Sequence, residues 1–123
     1  MNKIEAVNLL SFHGNFNQEN SFLYNIRVKC KVEEKLFYEI MDCIIKISDN
    51  ALNNEQIKSI YSIVFWCRSW INTGVLQQKL DILSTKKLMI YIDIIENSLY
   101  YLLEGDVEEA FWAYNEFLDG RYQ

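Results

Sequence analysis

The chain has 123 residues, half of them apolar and about a quarter charged, with a net charge of −5. That is one domain's length, with enough apolar surface for a core that needs neither metal nor disulfide, and without the charge excess of a disordered chain. No run approaches the roughly 18 apolar residues of a membrane span. Glu5 also interrupts the start too early for a signal peptide, so the expected setting is cytoplasmic, without a membrane partner.

The predicted elements follow in chain order. Residues 1–20 form the least regular segment. A short helix or strand over Lys3–Leu10 leads into Ser11–Asn17, where turn formers alternate with Phe12 and Phe16; these two aromatics should pin a loop. Ser21–Val28 reads as a short helix capped by Asn20. Proline is absent, so nothing in the backbone forbids helix from Glu33 to Asp119. Leu36, Phe37, Ile40, Met41, Ile44 and Ile45 recur at helical spacing and predict a helix over Val32–Ile47, stopped by Ser48-Asp49-Asn50.

Asn53 and Gln56 stand three apart, as a capping box does, and open a second helix over Glu55–Ile71. Its stripe is Ile57, Ile60, Tyr61, Val64, Cys67 and Ile71. Phe65, Trp66 and Trp70 widen the apolar surface, so this helix is expected to be buried nearly all round or to lie at an interface. Gly74 is its stop. Val75–Leu83 is ambiguous, with Leu76, Leu80 and Leu83 facing inward if helical. Ser84 or Thr85 would cap a third helix over Lys86–Glu104, whose stripe of Leu88, Ile92, Ile95, Leu99 and Leu102 has a seven-residue repeat suited to an antiparallel neighbour. Gly105 ends it, and Asp106 with Glu109 opens a last helix over Val107–Leu118 that stops at Gly120. That helix is expected to bury Val107, Ala110, Phe111, Tyr114 and Phe117 or Leu118. The fold class is all-α, a compact bundle of about four to six helices in a single domain spanning 1–123, with an acidic helical hairpin at 86–119. Residues 102–118 superficially resemble half a tetratricopeptide unit, but no second copy follows 34 residues away.

Charge is unevenly distributed. Residues 1–87 hold 11 basic and 9 acidic side chains, whereas residues 88–123 hold eight acids and only Arg121. Solvated helices ordinarily mix the two signs, because Glu–Lys pairs four apart stabilise them. On the third long helix Asp93, Glu96, Tyr100 and Glu104 follow at spacings of 3, 4 and 4 and share one face. Glu108, Trp112, Asn115 and Asp119 would do the same on the last. Carboxylates beside exposed aromatics suit a protein–protein contact, and negative charge speeds the arrival of a basic partner. The partner-binding candidates are therefore Asp93, Glu96, Tyr100, Glu104, Glu108, Trp112 and Asp119. The plainer reading is a solvated face, since three of the eight acids sit where a helix dipole favours them.

The residues offer little to an enzyme. His13 is the only histidine and sits in a turn-rich stretch, where a loop or surface position is the default. No phosphate-binding glycine loop, His-Glu-x-x-His or calcium loop occurs. Carboxylate pairs such as Asp93 and Glu96 could do acid–base work, but any acidic helix offers them. Cys30, Cys43 and Cys67 are odd in number, widely spaced and without a Cys-x-x-Cys. With His13 they could make up a zinc set only arithmetically, since the spacing matches no known pattern, and three reduced, mostly buried thiols is the simpler reading. No cofactor or metal is expected. Direct nucleic-acid binding is disfavoured, because only Arg27, Lys29, Lys31 and Lys35 cluster.

Two passages carry a family resemblance: Asn15-Phe16-Asn17-Gln18-Glu19-Asn20-Ser21-Phe22-Leu23, followed by the helix bearing Phe37 and Ile40, and Leu102-Leu103-Glu104-Gly105-Asp106. In their order, and in length and helical content, the chain resembles the small all-α immunity proteins of bacterial contact-dependent inhibition and polymorphic toxin systems. The resemblance implies a non-catalytic bacterial toxin inhibitor of the cytosol. Such a protein binds a delivered toxin domain, often a basic nuclease, and occludes its active site or an essential surface. It assigns no binding residue by motif. The alternative is a helical adaptor or regulatory protein acting as a homodimer through Phe65, Trp66 and Trp70.

Overall fold

The computed structural model describes residues 1–122. They form α1 (Lys3–His13), α2 (Phe22–Arg27), α3 (Glu34–Ile47), α4 (Asn54–Asn72), α5 (Ile82–Leu103), α6 (Val107–Ala110) and α7 (Trp112–Leu118). The described residues are all helix and connecting turn, packed as a compact bundle, and none of the helices is long and apolar enough to cross a membrane.

The N-terminal segment is more regular than expected. α1 runs eleven residues to His13, capped by Asn2, whose side chain accepts the Glu5 N–H at 2.8 Å. Its apolar residues are spread around the helix, so it carries no amphipathic stripe to read. Ala6, Leu10 and His13 nevertheless share one buried face, against α3 and α4. Gly14 follows at a close crossing, where an added Cβ would stand 2.8 Å from the Ser59 carbonyl oxygen of α4. α2 is capped by Ser21, not Asn20. Asn20 adopts a left-handed φ of 69°, which points the chain into the turn, while Ser21 Oγ accepts the Tyr24 N–H at 3.1 Å.

α3 begins two residues later than predicted and buries Phe37, Ile40, Met41, Cys43, Ile44 and Ile47; Ile45 is exposed. α4 has the predicted capping box, with Asn53 and Gln56 exchanging backbone-to-side-chain bonds of 2.9 Å each way. It is not buried all round: Trp70 is buried and Trp66 half-buried, but Tyr61 and Phe65 face solvent. Phe16 packs edge-on against Trp66 and Trp70, with centroids 4.9 and 6.0 Å away, and so pins the loop after α1 as expected.

The ambiguous segment Val75–Leu83 resolves into turns followed by the start of α5. Leu76 and Leu80 are buried, whereas Leu83 is 77% exposed. The reason is the cap. Asp81, not Ser84 or Thr85, closes the N-terminus by accepting the Ser84 N–H at 2.7 Å, so α5 begins at Ile82 and its first turn projects from the bundle. The inward stripe Leu88, Ile92, Ile95, Leu99 and Leu102 is buried as read, joined by Tyr91, Ile94 and Ser98. Gly105, at φ +78°, reverses the chain. Its N–H bonds the Leu102 carbonyl and that of Asp106 the Tyr101 carbonyl, satisfying the last turn of α5.

The last helix is not continuous. Phe111 leaves helical geometry (φ −115°, ψ 7°) and splits it into α6 and α7. The break frees carbonyls that α5 then satisfies: Ser98 Oγ donates to Ala110 O at 2.7 Å and Asn97 Nδ2 to Glu109 O at 3.3 Å. Of the residues predicted inward, Ala110 and Tyr114 are buried, Phe111 and Phe117 half-buried, and Val107 and Leu118 exposed. An aromatic cluster locks the hairpin down: Phe37 of α3 stacks on Tyr91 of α5 at 4.1 Å and meets Tyr114 and Phe117 of α7 edge-on.

Candidate protein-binding face

Burial of its inward stripe leaves one side of α5 to solvent. From Met89 onward that side is Met89, Asp93, Glu96, Tyr100 and Leu103, all exposed and spaced 4, 3, 4 and 3. Asp93, Glu96 and Tyr100 line a shallow groove with Asn97, Tyr101 and Tyr122. Tyr100 is 56% exposed, and its phenol is pushed above its ordinary pKa by the Glu104 carboxylate beside it. Four of the seven candidates, Asp93, Glu96, Tyr100 and Glu104, thus share one face as predicted.

Their charge is partly compensated. Arg68 of α4 reaches across so that a single nitrogen, Nη2, lies 2.9 Å from Asp93 Oδ1 and 2.7 Å from Glu96 Oε1. α4 and α5 pack side by side, which brings together residues 25 and 28 positions apart in the chain. Counting charge along the C-terminal segment alone misses this arginine. The available signal was the pairing of α4 with α5, which places one basic side chain of the former beside the acids of the latter.

The other three candidates, Glu108, Trp112 and Asp119, are exposed but do not lie on one continuous helix. The kink at Phe111 separates Glu108 on α6 from Trp112 on α7, and Asp119 is held by Arg121 at 2.9 Å. Arg121 also bonds Glu116 at 2.8 Å and holds that carboxyl below its usual pKa. Asp106 is engaged in capping α6. Among the described residues Glu104, Glu108 and Glu109 have no ion-pair partner. Trp112 is 58% exposed.

The site chemistry examined from the sequence is arranged differently. His13 is fully buried, not a surface or loop histidine. Its Nδ1 accepts the Phe22 N–H at 3.0 Å, so the neutral ring carries its proton on Nε2 and donates it to Glu39 Oε1 at 3.0 Å. Burial lowers its pKa, opposed by that bond and by the charge of Glu39. Cys43 and Cys67 are buried and Cys30 half-buried, all as free thiols. Burial pushes the Cys43 thiol up to about 12 and that of Cys67 up as well, so neither is poised as a thiolate. Among the described residues no group of three or more His, Cys, Asp or Glu could hold a metal ion.

No known protein family matches the chain, and neither a curated protein nor a solved structure is similar to it.

Proposed function

We propose that this chain is an immunity protein that binds a basic toxin domain, a nuclease being the best fit, and occludes its active site or an essential surface. The reading rests on one observation: Tyr100 and Trp112 stand open to solvent among carboxylates, of which Glu104 and Glu108 are unpaired among the described residues. Aromatic side chains supply large contact area at small entropic loss, and the surrounding charge steers a basic partner into place. The bacterial, non-catalytic and cytoplasmic setting belongs to the same proposal.

Replacing Glu96, Glu104 and Glu108 together with lysine should slow association with the basic toxin domain that this reading requires by about tenfold or more at low salt, and should weaken protection of cells that produce it. Stopped-flow association and a growth assay read the two effects. Unchanged association by the triple variant would remove the acidic-face mechanism.

Of the residues in the adaptor reading, a homodimer through Phe65, Trp66 and Trp70, Phe65 is exposed, while Trp70 is 6% exposed and packs edge-on against Phe16. Trp66 is half-buried between Phe16 and Phe65.

A further inference from the structure

The exposed side of α5 extends beyond the acidic residues. Ile82, Lys86 and Met89 precede Asp93, Glu96, Tyr100 and Leu103, so the spacing of 4, 3, 4, 3, 4, 3 runs the whole helix, and every member is exposed. A second stripe at this repeat, turned away from the buried one, is what a helix needs to pack along another helix. On this side α5 is flanked by α4, whose Ile71 and Asn72, with the turns over 73–80, line a pocket shared with Ile82 and Lys86, and whose Arg68 lies against Asp93 and Glu96. Ile82 in the first turn of α5 is 75% exposed.

The stripe is antisymmetric about Asp93. Its N-terminal half carries the positive charge, Lys86 with Lys87 beside it. Asp81, the only acid between Glu55 and Asp93, is engaged in the helix cap. The C-terminal half carries Glu96 and Glu104. Apolar residues stand at both ends, Ile82 at one and Leu103 at the other. Reversed and laid against itself, the stripe sets Ile82 opposite Leu103, and Lys86 opposite Tyr100 between Glu96 and Glu104. A cation then meets an aromatic face and carboxylates at two symmetric places. Asp93 falls at the centre opposite its own copy, where repulsion is expected, and there Arg68 already bridges Asp93 and Glu96.

Arg68 also shows that α4 contributes to this side. Tyr61, Phe65 and Arg68 follow at spacings of 4 and 3 along α4, and Arg68 reaches the α5 stripe, so exposed Tyr61 and Phe65 flank it. A helix of 22 residues is about 33 Å long, and two adjacent helices are about 20 Å wide. A face of that size approaches the roughly 800 Å² per partner of a standard interface.

We propose that the α4–α5 face docks a second copy of this chain, α5 antiparallel to α5 across a two-fold axis, forming a four-helix layer that closes on itself. The proposal does not rest on the immunity reading. Because Glu96, Tyr100 and Glu104 serve both, the dimer and a basic partner would compete for the same face.

Charge reversal tests the pairing in purified protein, without any toxin. Sedimentation velocity from about 10 μM to about 0.5 mM, in about 50 mM salt, covers the weak affinity expected of a small interface. Wild type should dimerise over this range. Lys86→Glu and Glu104→Lys should each weaken the dimer about tenfold or more, since each places like charges together twice. Their equimolar mixture should restore it, because in the mixed pair Glu at 86 meets Lys at 104 on one side and the original pair re-forms on the other. Wild type that stays monomeric throughout overturns the proposal, as would two variants that dimerise like wild type or a mixture that fails to recover. Circular dichroism of both variants confirms that they are folded before the comparison is made.

Discussion

His13 and Ser98 are two of the buried polar residues, beside Ser21 and Asn25. His13 Nδ1 can accept the Phe22 N–H only while the ring is neutral. Its pKa is lowered on folding, so the unfolded chain, with an ordinary histidine pKa of about 6.5, binds the proton more readily. Stability from this residue is therefore complete above about pH 6.5 and declines as the pH falls below it, with a slope of at most about 1.4 kcal/mol per pH unit for one proton. Urea denaturation at pH 7.5 and 5.5 should show the loss. His13→Asn should be less stable at the higher pH and show a flatter dependence. Ser98 acts differently, through a single bond of 2.7 Å to the Ala110 carbonyl freed by the break in the last helix. Ser98→Ala leaves that carbonyl buried without a donor and should lower stability by about 1–3 kcal/mol, measurable as a fall in the denaturant midpoint at unchanged slope.

At the scale of elements, helix ends decide what each helix shows to solvent. Because Asp81 starts α5 three to four residues earlier than a Ser84 or Thr85 cap would, Ile82 and Leu83 become an exposed first turn. Asp81→Ala should lower the melting temperature by a few degrees and increase amide exchange at Ser84 and Thr85, whereas Asp81→Asn, which keeps an acceptor, should retain most of the stability. The kink at Phe111 has a comparable effect on the candidate face. It places Glu108 on α6 and Trp112 on α7, so the second predicted column is carried by two short helices and not by one.

Across the whole molecule, the aromatic cluster around Phe37 carries the fold and the C-terminal face exploits it. Phe37 contacts Tyr91, Tyr114 and Phe117, linking α3, α5 and α7 through one side chain. Phe37→Ala should destabilise by about 3–5 kcal/mol and loosen α7 as a unit in hydrogen exchange. Trp112→Ala should leave the melting temperature nearly unchanged, since that side chain is mostly in water. The contrast separates aromatics buried in the bundle from one that stands mostly in water.

Local physics made several features legible in the chain itself. Helical periodicity marked α3, α4 and the inner face of α5. The Asn53–Gln56 box and the glycines at 74, 105 and 120 marked ends, because caps and left-handed stops use residues adjacent in sequence. Over Lys3–Leu10 the sequence does not separate helix from strand, because the apolar residues of α1 lie all round the helix and its burial comes from α3 and α4 rather than from a stripe of its own. The break at Phe111 depended on donors from α5 that no local pattern contains. Grouping the acids Asp93, Glu96 and Glu104 on one face required only the pitch of a helix. Placing Arg68 among them, burying His13 against Glu39 and exposing Trp112 required helices distant in sequence to meet, and long-range packing alone supplies those neighbours.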